Sequence, residues 1–225
     1  MKRKILLLTT AVLIGMASEF AQAVEINGIY NNLSGTSATV TSHPSSGYAG
    51  NIVIPNTVTY NTVTYTVTSI GGSAFANSNI ISVTISTSVT SIGNAAFNGC
   101  LILAEVEIKG GTNISLTFLG AGYSNPGSHF ENSGIKILKL GRNLTTGYTN
   151  NVPNNISPFK GCEKLENVTI GNDVTDINDE SYYDCEKLQF LNLGNKLKTI
   201  GSYAFFNCPN LESPLTLYPN SSETE

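Results

Sequence analysis

Four cysteines and two histidines are the residues of this sequence best suited to nucleophilic, redox or metal chemistry. They are Cys100, Cys162, Cys185, Cys208, His43 and His129. No two cysteines have the Cys-x-x-Cys spacing that is typical of zinc and redox sites. Neither histidine has a carboxylate and a nucleophile at the spacing of a hydrolase triad. We therefore predict that the protein is not an enzyme and uses no metal or cofactor.

Carboxylates are the next candidates for chemistry, but they are unevenly placed. No Asp, Glu, Lys or Arg occurs between Glu25 and Glu105, so the first half cannot supply the paired carboxylates of a glycosidase. The acidic residues between Asp173 and Asp184 are predicted to form a solvated edge. Glu105 and Glu107 offer too few oxygens for calcium, which takes six to eight ligands. A carbohydrate-active enzyme stays a third, less favoured alternative.

Composition limits the class of protein and the class of partner. The chain has 225 residues, of which 40% are hydrophobic and 12% are charged, which argues against disorder and against a coiled coil. Without residues 1–23, nine basic residues would face fifteen acidic ones, a formal net charge of −6. We therefore expect no nucleic-acid partner.

The first 23 residues have the three regions of a secretory signal peptide. Lys2, Arg3 and Lys4 are basic, residues 5–16 are largely apolar, and Ala21-Gln22-Ala23 is a cleavage sequence. The apolar run is too short to span a bilayer, and we expect no membrane span elsewhere. We predict cleavage after Ala23 and a protein that is secreted or displayed at the cell surface, with the periplasm as the alternative.

An aromatic residue followed three positions later by Cys or Ser recurs along the chain. These aromatic anchors are Phe75, Phe97, Phe130, Phe159, Tyr182 and Phe205, at spacings of 22, 33, 29, 23 and 23 residues. A unit of this size cannot bury its apolar side alone, so neighbouring units must stack and share a core. The sequence therefore predicts a repeat solenoid.

A short run of alternating apolar residues follows each anchor, as in Leu165-x-x-Val168-x-Ile170. Alternation predicts a strand with one buried face, and stacked units would join these strands in a parallel sheet. The outward pairs are Ser82/Thr84, Glu105/Glu107, Ile137/Lys139, Asn167/Thr169 and Phe190/Asn192. Ile137 and Phe190 are apolar where solvent is expected, so this face is one candidate binding surface.

These residues closely resemble the BspA-like, or treponemal-type, leucine-rich repeat family, whose unit reads Leu-x-x-Val-x-Ile-x-x-x-Val-x-x-Ile-Gly-x-x-Ala-Phe-x-x-Cys. The resemblance covers about residues 50–217. It implies a right-handed leucine-rich-repeat superhelix with a parallel sheet on one face. Members of this family are exported proteins of host-associated bacteria, so the resemblance also implies an exported bacterial protein. Some members are adhesins for host matrix proteins or other cells.

The predicted organisation has four parts. Residues 1–23 are the signal peptide, 24–66 a short β-rich N-terminal cap, 67–217 the repeats, and 218–225 a polar tail.

Two consecutive repeats are longer than the others. The distance from the strand-ending apolar residue to the next anchor is normally 12 residues, but it is 22 from Ile108 to Phe130 and 19 from Leu140 to Phe159. These insertions, near residues 110–123 and 145–155, should emerge side by side, either as binding loops or as drift in loop length. The candidate partner-binding residues are Tyr123, Tyr148, Phe118, Ile137, Lys139, Phe190, Asn192, Glu105 and Glu107.

All four cysteines fall at one repeat position, which Ser78 and Ser133 share in other copies. Parallel side chains in a stack fit disulfide torsion poorly, so we favour free buried thiols over a disulfide framework.

The leading hypothesis is a non-catalytic binding protein that recognises a host or bacterial surface protein, or a glycan. The alternative is a structural envelope protein that associates end to end with copies of itself, since open sheet edges invite pairing.

Overall fold

The computed structural model describes residues 23–45, 47–111, 114–120, 129–130, 132–147 and 157–211. The strands in these ranges are β1 (Val24–Ile26), β2 (Ile29–Ser34), β3 (Ser37–Val40), β4 (Ala49–Ile54), β5 (Thr57–Tyr60), β6 (Val63–Ile70), β7 (Asn79–Ile85), β8 (Ser91–Ile92), β9 (Glu105–Ile108), β10 (Leu116–Leu119), β11 (Ile137–Leu140), β12 (Leu144–Gly147), β13 (Asn167–Ile170), β14 (Asp176–Ile177), β15 (Phe190–Asn192) and β16 (Thr199–Ile200). These ranges contain no α-helix, and hence none long and apolar enough to cross a membrane.

The parallel sheet predicted from the alternating runs is confirmed. Six strands pair in the order β15-β13-β11-β9-β7-β4, and every pair is parallel. In β9, Val106 and Ile108 are buried while Glu105 and Glu107 are partly exposed. The same alternation in β11 and β13 places one apolar row in the core and one row outside.

A second sheet, which the sequence analysis did not predict, lies on the opposite side of the repeats and ends at β12. Its strands follow the order β1-β2-β3-β6-β8-β10-β12, with β5 beside β6. The pairs among β1, β2 and β3 are antiparallel, as is β5 with β6, while the pairs from β3 to β12 are parallel. Strands β14 and β16 form a separate parallel pair.

Strand β10 lies inside the first predicted insertion, so this part of the insertion is not a loop. Leu116 and Phe118 alternate with Thr117, and both apolar side chains are fully buried. Burial of this apolar pair fixes the segment as a strand of the second sheet. It pairs in register with β12, at the start of the second insertion.

The anchor aromatics form one continuous column through the core. The rings of Phe75, Phe97 and Phe130 are nearly parallel, with centroids 5.1 and 5.0 Å apart. The column continues through Phe159 and Tyr182 to the last anchor, and Tyr48 extends it at the other end. Stacking in this geometry adds to the hydrophobic contribution of each ring.

The turn that carries each anchor contains a left-handed residue. Two positions after every anchor, φ lies between +52° and +69°. The residues at this position are Asn77, Gly99, Asn132, Gly161, Asp184 and Asn207. Gly, Asn and Asp adopt this conformation at lower cost than other residues, which explains why each repeat has one of them at this offset.

The four thiols are free, as predicted, and three of them are buried, whereas that of Cys208 is partly exposed. All four cysteines are unpaired, and each of three thiols lies close to the carbonyl oxygen of an anchor in the preceding repeat. The Sγ to O distances are 3.0 Å from Cys100 to Phe75, 3.2 Å from Cys185 to Phe159 and 3.2 Å from Cys208 to Tyr182. The thiols thus link neighbouring repeats by hydrogen bonds rather than by covalent bonds.

Replacing one ring of the column should be far more costly than replacing an exposed ring. We expect Phe97→Ala to lower the free energy of unfolding by about 3–5 kcal/mol, because it removes a buried ring from between two others. The matched control is Phe206→Ala, whose ring is 50% exposed and should cost less than about 1 kcal/mol. Urea titrations of the three proteins measure both effects, and similar losses in the two variants would contradict a column that carries the core.

Candidate functional site

The outward side of the six-stranded sheet presents two straight rows of side chains, as predicted. The register aligns Ser82, Glu105, Ile137, Asn167 and Phe190 in the first row. The second row contains Thr84, Glu107, Lys139, Thr169 and Asn192. The structure therefore brings six of the predicted binding residues together on one face, namely Glu105, Glu107, Ile137, Lys139, Phe190 and Asn192.

Charged residues occupy the middle of this face. Lys139 Nζ donates a hydrogen bond of 2.6 Å to Glu105, and Lys109 Nζ donates one of 2.6 Å to Glu107. The contact with Glu105 raises the pKa of Lys139 above its ordinary value. Both pairs are exposed to solvent, and such pairs contribute little to stability. Their carboxylates are already paired with ammonium groups.

Apolar side chains flank the charged centre. Ile137 is 36% exposed and Phe190 is 49% exposed, and one strand separates them in the sheet. Val53, in the edge strand β4, is 63% exposed on the same face. A face that combines polar residues with separate apolar side chains can support the anchors and the polar rim of a protein interface.

The three binding residues predicted in the insertions do not lie together on an exposed surface of the described structure. Tyr123 and Tyr148 lie outside the described residues. Phe118 is fully buried, and its ring packs edge-on against His129 with centroids 4.8 Å apart. This burial removes Phe118 from the residues that can contact a partner, because its side chain fills the inner side of β10.

His129 and the cysteines are placed for packing rather than for acid-base or nucleophilic chemistry. His129 is fully buried, its Nε2 lies 3.1 Å from the carbonyl oxygen of Leu119, and burial lowers its pKa to about 4. Burial raises the pKa of Cys100 to about 11 and that of Cys162 to about 12, which disfavours the reactive thiolate. Within the described ranges, no three acidic, His or Cys side chains are grouped as metal ligands.

A cleft opens where the second sheet is interrupted. Strands β12 and β14 are not joined by a backbone ladder, and the space beside them has a volume of about 570 Å³. The lining residues are Leu144, Thr145, Ser157, Pro158, Phe159, Asp176, Ile177, Asn178, Asp179, Ser181, Thr199, Ile200 and Gly201. Residues 148–156, which connect β12 to Ser157, lie outside the described part of the chain.

Two asparagine side chains bridge the interruption. Asn143 Oδ1 accepts hydrogen bonds from the backbone N–H groups of Thr175 (2.8 Å) and Asp176 (3.2 Å). Asn178 Nδ2 donates to the carbonyl oxygen of Leu144 over 3.0 Å. Amide side chains thus satisfy backbone groups that a neighbouring strand would otherwise satisfy.

Asp176 faces outward beside the cleft. It accepts hydrogen bonds from the hydroxyl groups of Thr175 (2.5 Å) and Thr199. These two hydrogen bonds hold the pKa of its carboxyl below the ordinary value. The carboxylate is therefore ionised at neutral pH.

Arg142, immediately before the first bridging asparagine, is fully buried. Its Nη1 donates to Thr87 O over 2.8 Å and its Nη2 to Ser86 O over 3.0 Å. Burial lowers the pKa of this guanidinium. The side chain ties the start of β12 to a turn two repeats earlier, a role that no sequence pattern indicated.

Comparison with known proteins identifies the repeats. The profile described as "BspA type Leucine rich repeat region" matches six copies, over residues 55–121 and 153–222. The chain belongs to this family. The comparison confirms the resemblance drawn from the anchor turns and the alternating strands.

Solved structures of leucine-rich repeat proteins are similar to this BspA-type chain. A leucine-rich repeat protein from Eubacterium ventriosum is 25% identical with a TM-score of 0.59, and the likeness covers 91% of this chain and 48% of that one. A leucine rich cell surface protein from Faecalibacterium prausnitzii is 25% identical with a TM-score of 0.46, covering 88% and 55%. The chain thus spans about half the length of these two proteins. No curated protein matches it.

The cleft coincides with a departure from the BspA-type Ile-Gly motif. A Cβ at Gly93 would lie 2.4 Å from the backbone N of Gly72, and one at Gly201 would lie 2.3 Å from that of Asp179. Paired repeats therefore leave no room for a side chain at these glycines. Asn178 has the same position after Ile177, and its side chain extends to the backbone of β12, with which β14 is not paired.

Acid should destabilise the fold through His129. The unfolded histidine binds a proton below its ordinary pKa of about 6.5, whereas the folded one stays neutral down to about 4. The contribution of neutral His129 to the free energy of unfolding is therefore fully present above pH 6.5. It is lost as the pH falls toward 4, and the loss amounts to at most about 3 kcal/mol. Urea titrations between pH 7 and pH 4 should show that His129→Ala loses less stability than the native protein. His43→Ala, whose ring is half-buried between Tyr30 and Tyr48, is the control, and equal pH dependence in all three proteins would refute this role.

Proposed function

We propose that this BspA-type repeat protein is exported and displayed at the bacterial cell surface, where it binds a protein partner without catalysing a reaction. The signal-like residues 1–23 and the family membership support the location. In this proposal the repeats wind as a right-handed superhelix, and the hairpins of residues 24–66 cap the end of its core.

The outward face of the six-stranded sheet is the observation that carries the proposal. Exposed Ile137 and Phe190 lie on either side of one strand, beside the ion pair of Glu105 and Lys139. Interface energy usually comes from a few apolar or aromatic anchors that are enclosed by polar contacts. The rigid ladder holds these anchors at fixed distances, so binding loses little conformational entropy.

The burial of the reactive groups supports a role without catalysis. His129 is neutral and fully enclosed, and burial raises the pKa values of the cysteine thiols. A general base or nucleophile must reach its substrate, and these side chains pack between repeats instead.

The proposal is tested with Phe190→Ala and Ile137→Ala together. We expect wild-type residues 24–225 to bind at least one immobilised host extracellular-matrix protein, such as fibronectin, laminin or collagen. The double variant should lose about 2 kcal/mol of binding free energy because both anchors are removed. This loss should raise the dissociation constant about thirty-fold, as measured by surface plasmon resonance.

Phe206→Ala is the matched control, because Phe206 is as exposed as Phe190, at 50% against 49%, but lies outside the outward rows. Unchanged binding by the double variant, or an equal loss in Phe206→Ala, would contradict a binding site on this sheet.

Self-association is a second candidate, favoured by exposed apolar side chains in the last described repeat. Ile200 is 46% exposed, Tyr203 is 65% exposed, and Phe206 stacks only partly under Tyr183 at 4.9 Å. Concentration-dependent association in analytical ultracentrifugation, weakened by Tyr203→Ser with Phe206→Ser, would support this role. A single monomeric species at millimolar concentration would exclude it.

A further inference from the structure

The second sheet carries a row of hydroxyl groups on its outward side. The register places Thr39, Ser69, Ser91, Thr117 and Thr145 on consecutive strands. The hydroxyl oxygens of Thr39 and Ser69 are 2.7 Å apart, and those of Thr117 and Thr145 are 2.9 Å apart. With strands about 4.8 Å apart, the row is about 19 Å long.

The hairpin of β5 and β6 widens this hydroxyl surface. Its exposed threonines are Thr57, Thr59, Thr64 and Thr66. Val58 and Val67, which alternate with them, are buried. Together the hairpin and the row form the hydroxyl face.

The row leads directly into the cleft in the second sheet. Thr145 is both the last hydroxyl of the row and a residue of the cleft wall. Beyond it, Asp176 and Thr199 continue the same strand position on β14 and β16. The cleft adds amide and carboxylate groups from Asn178 and Asp179. The molecule thus presents an extended polar track that ends in a groove.

The chemistry of the hydroxyl face fits an uncharged partner. No Asp, Glu, Lys or Arg occurs from residue 26 to residue 104, the range that supplies the hairpin and the first three hydroxyls of the row. A hydroxyl group both donates and accepts hydrogen bonds, as do the hydroxyl groups of a sugar. The distance between neighbouring strands is also similar to the length of one pyranose unit in an extended polysaccharide chain.

We propose that the hydroxyl face and the cleft together bind a linear neutral polysaccharide. A protein partner is less well matched, because protein interfaces concentrate aromatic and aliphatic anchors at their centre and the hydroxyl row has none. The site lies on the opposite sheet from Ile137 and Phe190. The proposal therefore goes beyond the proposed function. A negative result for polysaccharide binding would not contradict the protein-binding face, and the converse also holds.

The test is affinity gel electrophoresis of residues 24–225 in gels that contain dextran, laminarin, mannan or xyloglucan. At least one of these neutral polysaccharides should retard the wild-type protein. Thr117→Val with Thr145→Val removes two hydroxyls and keeps side-chain shape and strand propensity. The apparent dissociation constant should rise by about ten-fold or more, as expected for the loss of two hydrogen bonds.

The matched control is Thr84→Val with Thr169→Val, the same change on the outward face of the first sheet. It should bind the neutral polysaccharides as the wild type does, because both threonines lie on the other sheet from the hydroxyl face, and circular dichroism and urea midpoints should verify that both double variants are folded. Ser91→Ala is the replacement variant if the first pair does not fold, with a weakening of several-fold expected.

Three results would overturn the proposal. They are no retardation by any of the four neutral polysaccharides, equal weakening in the hydroxyl variant and the control, and retardation only by the charged polymers heparin and polygalacturonate. Loss of matrix-protein binding in Thr117→Val with Thr145→Val, without any effect on polysaccharides, would instead identify the face as a protein site.

Discussion

The fold depends on one repeated contact, the stacking of an aromatic ring on the ring of the preceding repeat. A unit of about 23 residues with two short strands has too little apolar surface to fold alone. Each ring gains burial only when the next repeat is in place, so the core exists as a column rather than as separate clusters. The thiol contacts and the left-handed turns keep the rings in line. Both sheets follow from this alignment, because stacked repeats bring equivalent strands within hydrogen-bonding distance.

The aromatic anchors and the first sheet could be predicted because their signals are repeated and local. Leu165, Val168 and Ile170 alternate as a half-buried strand must, and five other copies show the same pattern. The outward rows followed directly, since each residue on a strand alternates sides. Six of the nine predicted binding residues therefore lie where the sequence placed them.

The second sheet could not be predicted in the same way because its repeat strands are too short to show alternation. Strand β8 of this sheet, and β14 and β16 of the separate pair, are two residues each, and their pairing depends on neighbours that are far away in sequence. Phe118 was misplaced for a related reason. A length difference marks an insertion but does not show whether it contains a strand, and only Leu116 and Phe118 reveal that this one fills the core.

The interruption between β12 and β14 also affects how the array transmits order along its length. In a repeat protein, cooperativity passes only between neighbours, through the interface that each pair shares. Between these two repeats that interface has a continuous sheet on one side and amide side chains on the other. The first sheet and the stacked rings of Phe159 and Tyr182 therefore carry the coupling that a backbone ladder of the second sheet would otherwise share.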